Sequence, residues 1–292
     1  MSGGAQKSPR SLDEQVDILI GRGLSVPNRD AAKRALLDGN YYRLSGYLRQ
    51  FQTDPRGGND SYLPGTTLEN ILTARDLDDE CSSVLLPGLL HIERAIRSRF
   101  AYFAAMRLGG GGFYLNRSGY LPAMPECEKH IEKVGGELRR ARAATVARYA
   151  AGDDLSAVPI WVAVELLSFG TVSRMIEYVA DKRAAKDVAD SLGLPWEGFT
   201  STIHSLAVLR NTCAHHGQLW HRRRTVSAPF PVKQRALWPT GVDPQGLIPV
   251  VAATLRFLKA IDPECARSET IEDFFRRQVA PHAIGYLNPA PK

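Results

Sequence analysis

The chain is short of the features that mark several large protein classes. Its four cysteines, Cys81, Cys127, Cys213 and Cys265, are scattered through 292 residues with no Cys-x-x-Cys pair. Neither a disulfide frame nor a zinc site is indicated. No Asp/Glu/His group stands at metal-ligand spacing, and the expectation is an absence of metal and cofactor. No stretch approaches the ~20 consecutive apolar residues of a membrane span. Met1–Arg10 is polar, rich in Gly and Ser, and lacks the apolar run of a signal peptide. The expectation is a cytoplasmic protein with no membrane partner. Gly109–Gly112 lacks the Gly-Lys-Ser/Thr and the preceding strand that a phosphate loop requires. Alternating strands and internal repeats are also missing, which leaves an all-α fold. Acid is in modest deficit, with 31 Asp+Glu against 37 Lys+Arg and a net charge of +6. That balance favours a polyanionic partner without naming one.

What is present is a succession of helix signals. Ser11-Leu-Asp-Glu14 reads as a capping box, with Gly21 and Gly23 ending the helix it opens. Pro27-Asn28 opens a second helix through Leu37, and Tyr41–Phe51 forms a third. These three form either a helix-turn-helix-like module or a layer packed on the main domain. Asp54–Ser61 reads as a loop and an internal boundary. Thr66-Thr-Leu-Glu69 reads as a second capping box, opening a helix that Pro87 interrupts or restarts and that continues to about Met106. Leu85, Leu89, Ile92, Ile96, Phe100 and Phe103 should face the core. A charged helix is expected over about 126–150, a Pro159-led helix whose register runs on to Val179, and a helix over Trp196–Gly217. A Pro-marked connector (Pro229, Pro231, Pro239, Pro244, Pro249) and helices near 247–261 and 269–280 complete the chain. The boundaries expected are a polar tail over 1–10, an N-terminal helical module over 11–62, a helical core over 63–225, and a connector with C-terminal helices over 226–292.

The most informative stretch is Leu209-Arg-Asn-Thr-Cys-Ala-His-His-Gly217. A guanidinium grips phosphate through a planar fork of donors, and histidine moves protons near neutral pH. Phosphate grip with proton transfer, and no acidic metal ligands alongside, is what metal-free cleavage of RNA requires. The plainer reading is that Arg and His near a helix end satisfy the last carbonyls and the helix dipole. Asn211 and His215 are four apart and share a face. Arg210 and His215 are five apart, about 140° around an ideal helix. Convergence on one phosphate then needs either a last turn that tightens or unwinds, with Gly217 as its C′ residue, or a second copy of the helix in a homodimer. The chemistry favours the homodimer, because one chain supplies one Arg and one clear His while two chains supply two of each. Helical geometry points His216 away from His215.

Glu93 and Arg97 form a second constellation. Four apart on one helix, they read most simply as an ion pair. Glu93 also lies at the margin of an apolar stripe, where an acid needs a partner. Arg222, Arg223 and Arg224 follow the His-containing segment directly, where a phosphate backbone would have to pass; Arg139, Arg140, Arg142 and Arg148 form another basic run. Tyr41, Tyr42, Arg43 and Tyr47 interleave aromatics with a base, as RNA-stacking surfaces do, although packing suits Tyr41 better.

The segment around Arg210 resembles the Arg-x4-6-His signature of the HEPN superfamily. Three further segments resemble the Abi-like abortive-infection proteins within it: Tyr41-Tyr42-Arg43-Leu44-Ser45-Gly46-Tyr47, Ile92-Glu93-Arg94-Ala95-Ile96-Arg97, and Pro159-Ile160-Trp161-Val162-Ala163 with Leu167-Ser168-Phe169-Gly170. Order and spacing match over roughly residues 12–225. His221 departs from the pattern, standing where many relatives carry Asn. The resemblance implies a HEPN-like helical bundle with paired signature helices. It also implies a metal-independent endoribonuclease acting in phage defence and leaving 2′,3′-cyclic phosphate and 5′-hydroxyl ends. In that reading His215 transfers a proton, Arg210 clamps the transition state, Asn211 orients His215 or the scissile phosphate, and Glu93 holds Arg210 with Arg97 in support; His216 is a candidate for a catalytic or supporting role only. Arg43, Arg222, Arg223 and Arg224 would contact RNA. A regulatory small RNA or an antitoxin is an allowed partner. The competing readings are a non-catalytic RNA-binding module using the same basic face, and an interaction protein whose signature helix is a dimer seam.

Overall fold

The computed structural model describes residues 8–55, 57–141, 144–150, 152, 154–222, 228, 243 and 245–279. Capping chemistry sets the first helix starts. Ser11 and Glu14 form a reciprocal box at the head of α1 (Leu12–Gly21). Asn28 caps α2 (Arg29–Gly39), and Asn40, at φ 58°, both ends α2 and caps α3 (Tyr41–Leu48). A 3-10 turn at Arg49–Phe51 leads into an antiparallel hairpin of β1 (Gln52–Asp54) and β2 (Asn59–Tyr62), pairing Gln52 with Tyr62. The loop expected over 54–61 is the turn and return strand of this hairpin, whose strands are too short and polar to show alternation.

The longest helix, α4 (Leu68–Leu108), spans 41 residues. Its capping box sits one residue later than expected, on Thr67 and Asn70. Pro87 does not interrupt it. Packing overrides the local break: a Cβ on the adjacent Gly88 would lie 3.1 Å from Leu258 Cδ1 and 3.2 Å from Ile271 Cδ1, so two later helices press on this turn.

The remaining helices are α5 (Glu126–Ala141), α6 (Ala144–Ala147), α7 (Ile160–Leu166), α8 (Phe169–Tyr178), α9 (Lys182–Ser191), α10 (Phe199–Ala214), α11 (Ile248–Ile261) and α12 (Ala266–Phe274), with a π turn at Phe275–Val279. The register expected to run on from Pro159 breaks at extended Leu167, and Ser168 caps a new helix. α9 had no sequence expectation; its buried side is almost all alanine, too weak a stripe to stand out. Pro229, Pro231, Pro239 and Pro244 of the expected connector lie outside the described residues, and Pro249 sits in the first turn of α11.

The fold is all-α apart from the hairpin. α4 is its axle, touched by α3, α7, α8, α9, α10, α11 and α12. Leu85, Leu89, Ile92, Ile96 and Phe100 are wholly buried along it, and Phe103 is partly so. Among the described residues no helix is long and apolar enough to cross a membrane.

Candidate active site

The site begins with a buried carboxylate between two guanidiniums. Glu93 and Arg97 are 4 % and 7 % exposed on α4. Glu93 Oε1 accepts from Arg97 Nε at 3.1 Å and also from Nη2. Arg97 Nη1 donates to the carbonyls of Val164 and Leu167, closing the end of α7. The other oxygen, Glu93 Oε2, lies 2.6 Å from Arg210 Nε on α10. The i,i+4 pair is therefore present, and it is also the base on which Arg210 stands. Removing Glu93 would leave the buried Arg97 guanidinium, and Arg210 with it, without a counter-ion.

Arg210 is not sealed in. Its side chain keeps 25 % of its exposure, Nη1 donates to Asn211 Oδ1 at 3.0 Å, and Nη2 has no partner among the described residues. A phosphoryl oxygen arriving there meets an unspent donor on a pre-oriented fork. Asn211 lies against Gly170 at the start of α8, where a Cβ would be 3.8 Å from its amide nitrogen. The Leu167–Gly170 and Ile92–Arg97 segments thus flank Arg210 and Asn211 directly.

The end of α10 differs from expectation. The α-helical ladder continues to His215, whose N–H bonds to the Asn211 carbonyl at 3.0 Å. The helix closes with a Schellman turn: His216 N–H to Cys213 O at 3.2 Å, and Gly217 N–H to Thr212 O at 2.7 Å. The left-handed C′ residue is His216, at φ 52°, not Gly217. Gly217 is needed for room, because a Cβ there would sit 3.0 Å from Thr212 Cγ2 and 3.2 Å from Thr212 O. With the ladder intact to His215, unwinding does not bring Arg210 and His215 onto one azimuth within a chain. His215 is exposed and makes no side-chain hydrogen bond among the described residues.

Beyond the turn, residues 216–221 are strapped to α3 and α4. Arg43 donates to the His216 carbonyl at 2.6 Å and to Asp79 at 2.9 Å. Buried Asp78 accepts from Tyr47 Oη at 2.8 Å and from Leu219 N–H at 2.9 Å. Gln50 accepts from Trp220 Nε1 at 2.8 Å and lies 3.1 Å from His221 Nε2. Gly46 leaves the space that the Gln218 side chain fills. The Tyr41–Tyr47 segment is therefore chiefly a clamp on the strap. Arg43 bonds Asp79 and a carbonyl while its side chain keeps 35 % of its exposure, Tyr41 is partly buried against the core, and Tyr42 stands 86 % exposed. Arg222 is exposed; Arg223 and Arg224 lie outside the described residues. A cleft of about 590 Å³ beside His216 is lined by Asp38, Asp76 and Asp79 together with Arg43 and Arg75. Its acids make it a poor seat for a phosphate backbone.

Sequence reasoning passed over two groups. Asp78 was hidden in an acidic run, where a buried residue looks like its solvated neighbours. His204, half-buried on α10, has Nδ1 3.0 Å from Ser173 Oγ; its signal was its place seven residues before Asn211. Among the described residues no three His, Cys, Asp or Glu side chains gather as a metal site would need.

The family model described as Abi-like protein matches residues 34–221, more than half of the chain. The match takes in the clamp, the Glu93–Arg97 pair, the α7–α8 junction and the whole of α10. No curated protein and no solved structure matches the chain.

Proposed function

We propose, on the premise that this chain belongs to the Abi-like protein family, that it is a HEPN-type endoribonuclease of abortive infection, cutting RNA without a metal. The family itself suggests a part in defence against phage. The single observation that carries the nuclease reading is Arg210, oriented through Nε by a buried carboxylate while Nη2 stays available, on the helix that ends in exposed His215. A solvated structural arginine has no need of a buried counter-ion, and a structural histidine does not usually stand free at a helix end.

In this reading the 2′-hydroxyl attacks the adjacent phosphorus as a base takes its proton. The P–O5′ bond breaks, and the departing oxygen receives a proton from His215. Arg210 offsets the charge that grows on the phosphoryl oxygens, and Asn211 holds the guanidinium or the phosphate in register. One chain offers one such histidine beside Arg210, so the active species is a homodimer joined along α10.

The test is RNA incubated in EDTA with wild type, Arg210→Ala and His215→Ala, with end mapping and sedimentation at the assay concentration. The expected result is 2′,3′-cyclic phosphate ends from a wild-type dimer and none from either variant. Cleavage that EDTA abolishes and magnesium restores, or a monomer cutting at full rate, overturns the reading. Retention of RNA without cutting favours the binding-module alternative.

A further inference from the structure

Along α10 Thr200, Arg210 and Ala214 are half-buried; so are Ser201, His204, Val208 and Asn211, which with exposed His215 beyond the helix make one stripe. Their 3-4-3-4 spacing is that of a helix seam. On this face the tautomer of His204 follows from its contact with Ser173. The hydroxyl of Ser173, wholly buried on α8, donates to the Gly170 carbonyl at 2.8 Å. With that proton spent, Ser173 Oγ accepts from His204 Nδ1–H at 3.0 Å. The lone pair is left on Nε2, which is neither enclosed nor hydrogen-bonded among the described residues. Burial holds the imidazole below the ordinary histidine range; Arg174 on α8 and Lys133 on α5 push the same way, and Glu177 on α8 opposes them. A neutral imidazole with a free outward nitrogen is a ready general base.

We propose that His204 is the second proton-transfer group of the ribonuclease, working opposite His215 of a second copy of this chain. The proposal rests on the nuclease reading above. Within one chain the two histidines are eleven residues apart, about 16 Å along a helix, too far to serve one phosphate. In an antiparallel pair about a two-fold axis, facing positions have a constant sum. The register that places His204, Val208, Asn211 and His215 together in the seam sets 208 against 211 and 204 against 215. The axis then passes between positions 209 and 210; Arg210 is level with it but about 100° round the helix from Asn211, and reaches toward the seam through its Nη1–Asn211 Oδ1 bond. Each of the two centres takes a base from one chain and an acid from the other. His204 Nε2 removes the 2′-hydroxyl proton as O2′ bonds to phosphorus; the P–O5′ bond breaks and O5′ takes the proton from His215 of the second copy.

Mixing variants decides the layout. His204→Ala and His215→Ala homodimers should each lose about 100-fold or more in cleavage rate. An equimolar mixture, unfolded and refolded together, should recover about one quarter of the wild-type rate, because half the dimers are mixed and each has one intact centre of two. Recovery also shows that both variants fold. Ser173→Ala should keep the dimer and move the acid limb of the pH–rate profile, since it frees the imidazole tautomer. A mixture as inactive as its components, or His204→Ala at the wild-type rate while wild type cleaves, overturns the proposal and leaves the nuclease reading standing. Wild type that leaves RNA intact overturns both.

Discussion

Glu93 Oε2 lies 2.6 Å from Arg210 Nε, joining the middle of α4 to the last turns of α10. The same carboxylate holds Arg97 through its other oxygen. Glu93→Ala should therefore destabilise the fold by about 3–5 kcal/mol, the usual cost of stranding a buried charge. Glu93→Gln keeps the shape and should cost less, yet still release Arg210 from its fixed aim. Urea unfolding measures the first effect and RNA cleavage by the folded Gln variant the second. A Gln variant as stable and as active as wild type would show the contact to be incidental.

Arg210→Lys should damage activity nearly as much as Arg210→Ala. Lysine keeps the charge but loses the planar fork, which here meets Glu93 with Nε and Asn211 with Nη1 while leaving Nη2 for phosphate. The comparison of single-turnover rates decides it. A lysine variant with most of the wild-type rate would reduce Arg210 to a source of positive potential.

Helix capping and apolar spacing made much of this architecture legible in sequence: Ser11, Asn28 and the stripe from Leu85 to Phe100 mark elements that are present. Pro87 misled because a local break was weighed without the packing of α11 and α12 on Gly88. α9 escaped because alanine buries little area and leaves a faint period. At the site, residue types and spacing marked Arg210 with Asn211 and Glu93 with Arg97 as two separate groups, and the family resemblance joined them. The clamp on the strap was not legible, since Arg43, Gly46, Tyr47 and Asp78 meet residues 216–219 only through the tertiary fold. The Schellman turn was misassigned by one residue because glycine is the usual left-handed C′ and histidine an uncommon one.

Stability should fall on mild acidification, with His130 the largest identified cause. It is buried, edge-on to Tyr120 and Tyr178, and burial lowers it from 6.5 to about 4. Between these values the unfolded chain binds the proton more readily than the folded one. The contribution is complete above pH 6.5, is lost as pH falls towards 4, and levels off below that. It amounts to about 3 kcal/mol. His130→Phe should flatten the stability profile in this window. Parallel wild-type and variant curves from denaturant titrations between pH 7 and 4 would count against the assignment.

His216→Gly should leave both fold and activity intact, which separates the turn from the chemistry. His216 holds φ 52° at the C′ position, a conformation that costs an L-residue about 1 kcal/mol and glycine almost nothing. Glycine's greater freedom in the unfolded chain offsets roughly 0.4–1 kcal/mol of that gain. The net change in stability should therefore lie near zero or slightly above it. The Arg43 bond survives because it lands on the backbone carbonyl of residue 216, and the strap stays in place. A β-branched replacement, His216→Val, should instead strain the turn and lower stability. If the proton is moved by His215, the glycine variant cleaves RNA at close to the wild-type rate while His215→Ala does not. A glycine variant that is folded and dimeric yet 100-fold slower would transfer the proton-moving role to His216. The left-handed histidine would then be strain held at the centre of the reaction and not a feature of the turn.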